Sequence, residues 1–141
     1  MKKTTRSTTA SQVQRAWHLF DAKDKVLGRL STDVAHKLMG KAKPYFVRNL
    51  DCGDNVVVIN AKSVVVTGKK EKQKMYGEYS GYPGGLKQKA LWQLRVEKPT
   101  MIIRHAVWGM LPKNKLRDRL ITRLYIYPAA AHPHVSKFAT K

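Results

Sequence analysis

Glycines and tyrosines crowd one stretch of the chain, "MYGEYSGYPGGLKQKA", Met75 to Ala90. Gly81, Gly84 and Gly85 permit positive φ and let backbone N–H groups approach a second surface closely. Tyr76, Tyr79 and Tyr82 supply faces for stacking and hydroxyls for phosphate or ribose. Read this way, the stretch is a long ordered loop, and Gly85 leads into a helix whose N-terminus favours an anion. Spacing alone leaves an ordinary hairpin or helix-entry loop equally open. The stretch is not a Walker A loop, which needs Gly-Lys-Ser/Thr at the helix start, and it lacks the Rossmann glycine spacing.

Composition also favours an anionic partner. The chain has 141 residues, enough for one ordinary domain, and 43% are hydrophobic, enough for a core. Lys and Arg number 28 against 9 Asp and Glu, a formal charge of +19. A domain so unbalanced repels itself, and a polyanion relieves that repulsion. Nucleic acid is the leading candidate and an anionic membrane surface the second. No apolar run approaches the roughly 20 residues that span a bilayer. The cations are spread along the chain rather than gathered into one juxtamembrane cluster. Neither a membrane nor a small-molecule substrate is therefore expected as a partner. The single cysteine, Cys52, excludes an internal disulfide, which fits a reducing compartment. The N-terminus lacks the apolar h-region of a signal peptide. "MKKTTRSTTASQVQR", residues 1–15, is basic and Ser/Thr-rich, faintly like a transit peptide. It reads as a flexible arm that orders on the partner, and residues 16–141 read as a single domain with an extended tail.

Other groups invite chemistry with less force. "VWGMLPKNKLRDRL", Val107 to Leu120, begins apolar, crosses Gly109 and Pro112, and turns basic at Lys113, Lys115, Arg117 and Arg119 against the single acid Asp118. Either a core helix ends here and a solvated tail begins, or the junction grips an anion. "TGKKEKQK" is a solvated charge run or, because Gly and Tyr follow it, a ribbon facing RNA. "HPH", His132 to His134, offers at most two metal ligands with no Cys or acidic cluster beside them, so zinc is not expected. Imidazoles that stack on bases or bond phosphate are the better reading. His18, His36 and His105 read as structural or surface residues. Cys52 in "LDCGDN" has no identifiable base to make it a nucleophile. Asp51 and Asp54 read as turn or cap residues. A hydrolase has too little to work with here.

The elements that must position these residues follow from periodicity. "AWHLFD", Ala16 to Asp21, alternates as a strand with Trp17 and Leu19 on one face. Leu27, Leu30, Val34 and Leu38 make a helical stripe that Gly40 caps and Pro44 closes. "NVVVIN", Asn55 to Asn60, is a β-branched run suited to a strand buried on both faces. "SVVVTG" reads as a further strand. Leu86, Ala90, Leu91 and Leu94 have helical spacing. Pro99 opens the next helix, with Ile102, Ile103, Ala106, Val107 and Met110 as its buried stripe. Asn114 caps a short basic helix whose Leu116, Leu120 and Ile121 face inward. "LYIYP" is a final strand. Strand–helix–strand order argues for an α/β fold, with a small sheet between helices on both faces.

"LGRLSTDVAHKLMGKAKPYFVRNLDCGDNVVVINAKSVVVTGKK", "SGYPGGL", "VWGMLPKNKL" and "HPH", in this order and spacing, closely resemble the ribosomal protein thirteen family of the bacterial large subunit. The likeness runs from about Trp17 to about His134 and is specific only in combination. It implies a three-layer α/β/α fold around a small, mostly parallel four-stranded sheet. It implies a structural constituent of the large subunit that binds ribosomal RNA directly, supports early assembly among neighbouring ribosomal proteins, and has no catalytic residue, metal or cofactor. Some members bind messenger RNA and repress translation, which is the alternative function. The implied location is the cytoplasm, in the large ribosomal subunit, ahead of an organellar ribosome. Candidate RNA contacts in the arm are Lys2, Lys3, Arg6 and Arg15. Lys41 and Lys43 follow the first helix, and Lys69, Lys70 and Lys74 make the lysine run. Tyr76, Ser80, Tyr82, Gly84, Gly85 and Lys87 come from the loop. Lys113, Asn114, Lys115, Arg117 and Arg119 form the junction, with His132 and His134 in the tail. The sequence departs from the family where Arg117 replaces a usual Gly, Pro128-Ala129 replaces Ala-Gly, and Ser136-Lys137 replaces Ala-Gln. The bend after Leu116 and the path of the tail are left open by those changes.

Overall fold

The computed structural model describes residues 7–138, so Lys2, Lys3 and Arg6 lie outside the described residues. Strands β1 (Trp17–Asp21), β2 (Asn55–Ile59) and β5 (Leu124–Ile126) form a parallel sheet in the order β1-β2-β5. The central strand is the β-branched run, and Val56, Val57 and Val58 are fully buried. A strand with neighbours on both sides and cover on both faces has no solvated face, which is why it shows no alternation.

The fold is α/β as expected, but this sheet has three strands, not four. "SVVVTG" contributes only a single bridge, Val26 to Val65, after a 3-10 turn at Ala61–Ser63. That turn starts from Asn60 in the left-handed region, φ +58°, which ends the pairing before a strand can form.

Helix α1 (Leu27–Met39) buries Leu27, Leu30, Ser31, Val34, Ala35 and Leu38, the expected stripe with two small residues added. Gly40 ends it at φ +76°, donating its N–H to the His36 and Lys37 carbonyls. Helix α4 (Pro99–Met110) packs against α1, and Ile102, Ile103 and Val107 are buried. Met110 is 41% exposed, contrary to its place in the expected stripe, while Leu111 next to it is buried in the core. These two helices cover the face of the sheet that carries Val56 and Val58.

The far face carries Val57, in register with Leu19 and Tyr125. Its cover is aromatic. Trp17 and Tyr125 stack at 5.7 Å, and His134 lies 4.6 Å from Tyr125 and 5.2 Å from Trp17. Tyr127, His132 and Phe138 extend the cluster.

The glycine-tyrosine stretch is a hairpin rather than a loop: β3 (Met75–Tyr79) pairs antiparallel with β4 (Leu86–Ala90). Gly85 therefore opens a strand, not a helix N-terminus. The apparent helical spacing at Leu86 merges that strand with α3 (Leu91–Glu97), which starts at Leu91. The lysine run forms the short helix α2 (Lys70–Gln73) instead of a ribbon. Helix α5 (Arg117–Ile121) is the short basic helix, with Leu120 and Ile121 buried and Leu116 partly so.

Candidate nucleic-acid interface

Which cations are available to a partner depends first on where the acids stand. Two aspartates beside the end of α1 hold the 41–54 segment in place. Asp54 has a 6% exposed side chain and accepts from Lys43 Nζ at 2.5 Å, from the Ala16 N–H at 3.0 Å, and pairs with His18 Nε2 at 2.9 Å. Lys43 Nζ also donates to the Gln14 and Cys52 carbonyls at 2.6 and 2.9 Å. Asp51 accepts a two-pronged contact from Arg123 and a longer one, 3.4 Å, from Arg15. Burial raises both carboxyls. For Asp54 the Lys43 and Ala16 hydrogen bonds and His18 outweigh it, and for Asp51 the Arg123 bonds and charge with Arg15 do so. Both are held below the ordinary carboxylate value.

Two candidate contacts from the sequence are thus already engaged within the protein. Lys43 has only 15% of its side chain exposed. Arg15 donates to the Gly53 carbonyl at 2.8 Å. Arg123, which sequence reasoning missed, is the internal partner of Asp51. No sequence signal ties it to an acid 72 positions away.

Arg117 is turned back as well. Its guanidinium donates to the Leu111 and Pro112 carbonyls at 3.0 and 3.2 Å and lies 4.8 Å from the Trp108 ring centroid. It satisfies the open carbonyl end of α4 and pins Trp108 at the rim, 36% exposed. The bend after Leu116 is thereby set. The Asn114 side chain accepts the Leu116 N–H at 3.1 Å, a local turn that points Lys113 and Lys115 outward. Both lysines and Arg119 are exposed, and they form no salt bridge among the described residues.

Sequence-distant cations meet across α4. Lys41 and Arg48 line a groove with Asn114, over a floor of Met39, Phe46, Leu50, Met110, Leu116 and Leu120. Asn114 also lines a shallow basin with Lys113, Lys115 and Trp108. On the other side of Met110 lies a depression with Lys70, Lys74 and His105. The three depressions are joined through shared residues: Met110 lines both the groove and the one beside the lysine run, and Asn114 lines both the groove and the junction basin. Arg48 was not among the candidates. Its signal was the alternation of cations and aromatics in "KAKPYFVR", directly after the helix-ending Gly40.

The hairpin extends beside this face. Its turn is built from Gly81 at φ +88° and Gly84 at φ +71°, with Ser80 and Gly85 closing it through the Ser80 N–H to the Gly85 carbonyl, 3.3 Å. Tyr82 at the tip is 75% exposed and Lys87 is exposed. Lys69 is exposed at the start of the short helix. Tyr76 is different: its ring packs 5.5 Å from His105, its hydroxyl is buried with no hydrogen-bond partner among the described residues, and burial raises its pKa. His132 and His134 belong to the aromatic cover of the sheet, and His132 Nδ1 accepts the His134 N–H at 3.2 Å. Cys52 is buried, with its thiol 4.0 Å from the Tyr45 carbonyl.

The α/β fold carries an array of exposed cations, while Asp51 and Asp54 are committed to ion pairs within the protein. The chain belongs to the ribosomal protein L13 family, whose model matches residues 15–133. It is 49% identical over 133 residues to the large ribosomal subunit protein uL13 of Dehalococcoides mccartyi, covering 94% of this chain and 93% of that one. The protein of the same name from Caldanaerobacter subterraneus subsp. tengcongensis is 54% identical over 124 residues, 88% of this chain and 87% of its own length. That from Clostridioides difficile is 50% identical over 127 residues, 90% and 89% of the two chains.

Proposed function

We propose that the chain is a structural constituent of the large ribosomal subunit in the cytoplasm, where it binds ribosomal RNA directly and supports early assembly of the subunit. The observation that carries this reading is the cationic surface around α4, where Lys41, Arg48, Lys70, Lys74, Lys113 and Lys115 converge from three separate segments. Cations on a folded support release condensed counterions when they meet phosphates, so affinity falls steeply with salt. Membership in a family of large-subunit ribosomal proteins supports large-subunit ribosomal RNA as the anion, and the neighbouring large-subunit proteins are the expected protein partners. The messenger-RNA reading uses the same cations and has no separate observation in its favour.

The test is salt-titrated binding to large-subunit ribosomal RNA. The double variant Lys113→Ala with Lys115→Ala is expected to make the logarithmic salt slope shallower by about two, one for each lost phosphate contact. Its melting temperature stays near that of the parent, since exposed charges contribute little to stability. An unchanged slope in the double variant overturns the assignment of these lysines.

A further inference from the structure

The groove between the end of α1, the 41–50 segment and the α4–α5 junction differs from the rest of the cationic face, because its floor is apolar. We propose that it is a subsite for one unstacked nucleobase of the bound RNA, with the flanking phosphates held by Lys41 and Arg48. The inference rests on the RNA-binding reading above and narrows it to a contact type. Phe46 offers a ring, and Met39 and Met110 are flexible, polarizable side chains that adapt to a flat heterocycle. Bases stack on such platforms without regard to sequence.

Charge selects this occupant over an apolar side chain of a protein. Lys41 and Arg48 are exposed, no acidic residue lines the groove, and neither cation is salt-bridged among the described residues. An anionic chain carrying apolar rings fits those two requirements together. Asn114 adds a directional group. Its amide oxygen is occupied by the Leu116 N–H, so the amide NH2 is left to donate to a carbonyl or ring nitrogen on a base edge. Met110 is 41% exposed despite its place on the apolar side of α4, and a base on the groove floor gives that exposure a use.

The probes are two single-stranded RNA pentamers of uridine, one with 2-aminopurine at the centre and one with an abasic centre. They have equal charge and differ only in the base. The parent protein is expected to bind the 2-aminopurine pentamer about tenfold more tightly, the worth of one stacked base, with a change in its fluorescence. Phe46→Leu keeps the floor apolar but removes the ring, and is expected to erase the difference. Met110→Ala removes the exposed side chain from the groove floor and is expected to weaken the difference should Phe46→Leu not fold. The salt slope for large-subunit RNA stays the same in both, because no cation is removed. Equal binding of the two pentamers by the parent overturns the subsite and leaves the RNA-binding face standing. A difference that survives both variants places the base elsewhere and also overturns it. Failure of the parent to retain large-subunit RNA overturns the RNA reading itself, and the subsite with it.

Discussion

Gly53→Ala should unfold the corner that orients Lys41 and Arg48. Gly53 is buried against the end of α1, and a Cβ there would overlap the Leu38 carbonyl oxygen, come within 2.7 Å of the Leu38 carbonyl carbon and lie 2.8 Å from Arg123 Nη2. The first two atoms are helix backbone and cannot rotate away. The third belongs to the side chain that holds Asp51. Ordinary overpacking costs about 1–3 kcal/mol. Here a backbone collision adds to a disturbed buried ion pair, so the cost lies at the top of that range, about 3 kcal/mol. For a chain of this size that lowers the melting temperature by about 10 °C. Gly28→Ala is the control, since its Cβ meets nothing within 4 Å and it sits inside α1. There alanine should stabilise by roughly 0.5–1 kcal/mol. Thermal melting by circular dichroism reads both. A Gly53→Ala protein that melts within about 2 °C of the parent would refute the close packing of the 50–54 segment on α1.

Arg117→Ala should lower stability by about 1–2 kcal/mol through the lost charged hydrogen bonds and shift Trp108 emission, with the RNA salt slope unchanged; a shallower slope would return Arg117 to the RNA-facing set. Leu120, only 4% exposed, should cost about 2–5 kcal/mol on truncation to alanine, with RNA binding reduced only through loss of folded protein. Asp51 and Asp54 have folded values below their unfolded ones. Their contribution to stability is therefore complete above the unfolded value, about 3.9, and disappears as pH falls through the folded value. Asp54→Asn should flatten that acid limb and, by leaving Lys43 buried without its anion, cost about 3 kcal/mol at neutral pH. An acid limb identical to the parent's would show that Asp54 does not drive it.

Elements whose signal is local were legible in the sequence. The α1 stripe and its glycine stop, Pro99 at the start of α4, and the β-branched central strand each depend on a few adjacent residues, and each is where it was expected. The hairpin was misread because Leu86 and Ala90 stand four apart, a helical interval, while the strand they bound has one exposed polar face, Lys87 and Lys89, and turns buried only at Ala90. The sheet lost a strand because "SVVVTG" has strand composition but follows a left-handed Asn60 that no propensity scale foresees. At the interface, the outward lysines of the junction were expected after the stop at Pro112; Asn114, expected to cap α5, instead closes a turn onto the Leu116 N–H, and α5 starts from Leu116 without a side-chain cap. The engagement of Arg15, Lys43 and Arg117 within the protein was not expected, because it depends on carbonyls and carboxylates that only the folded chain brings near. Charge composition counts cations; it does not say which ones face water.

The aromatic cover of the sheet bears on how the molecule is made. Trp17 enters the world early and waits, with Val57 bare beneath it, until Tyr125, Tyr127 and His134 have been synthesised. A nascent chain that has grown only as far as α4 holds its helical side nearly complete and its other side open. Such a half-clothed sheet is a target for misassociation. The last residues added are therefore a closing step in time as well as a layer in space.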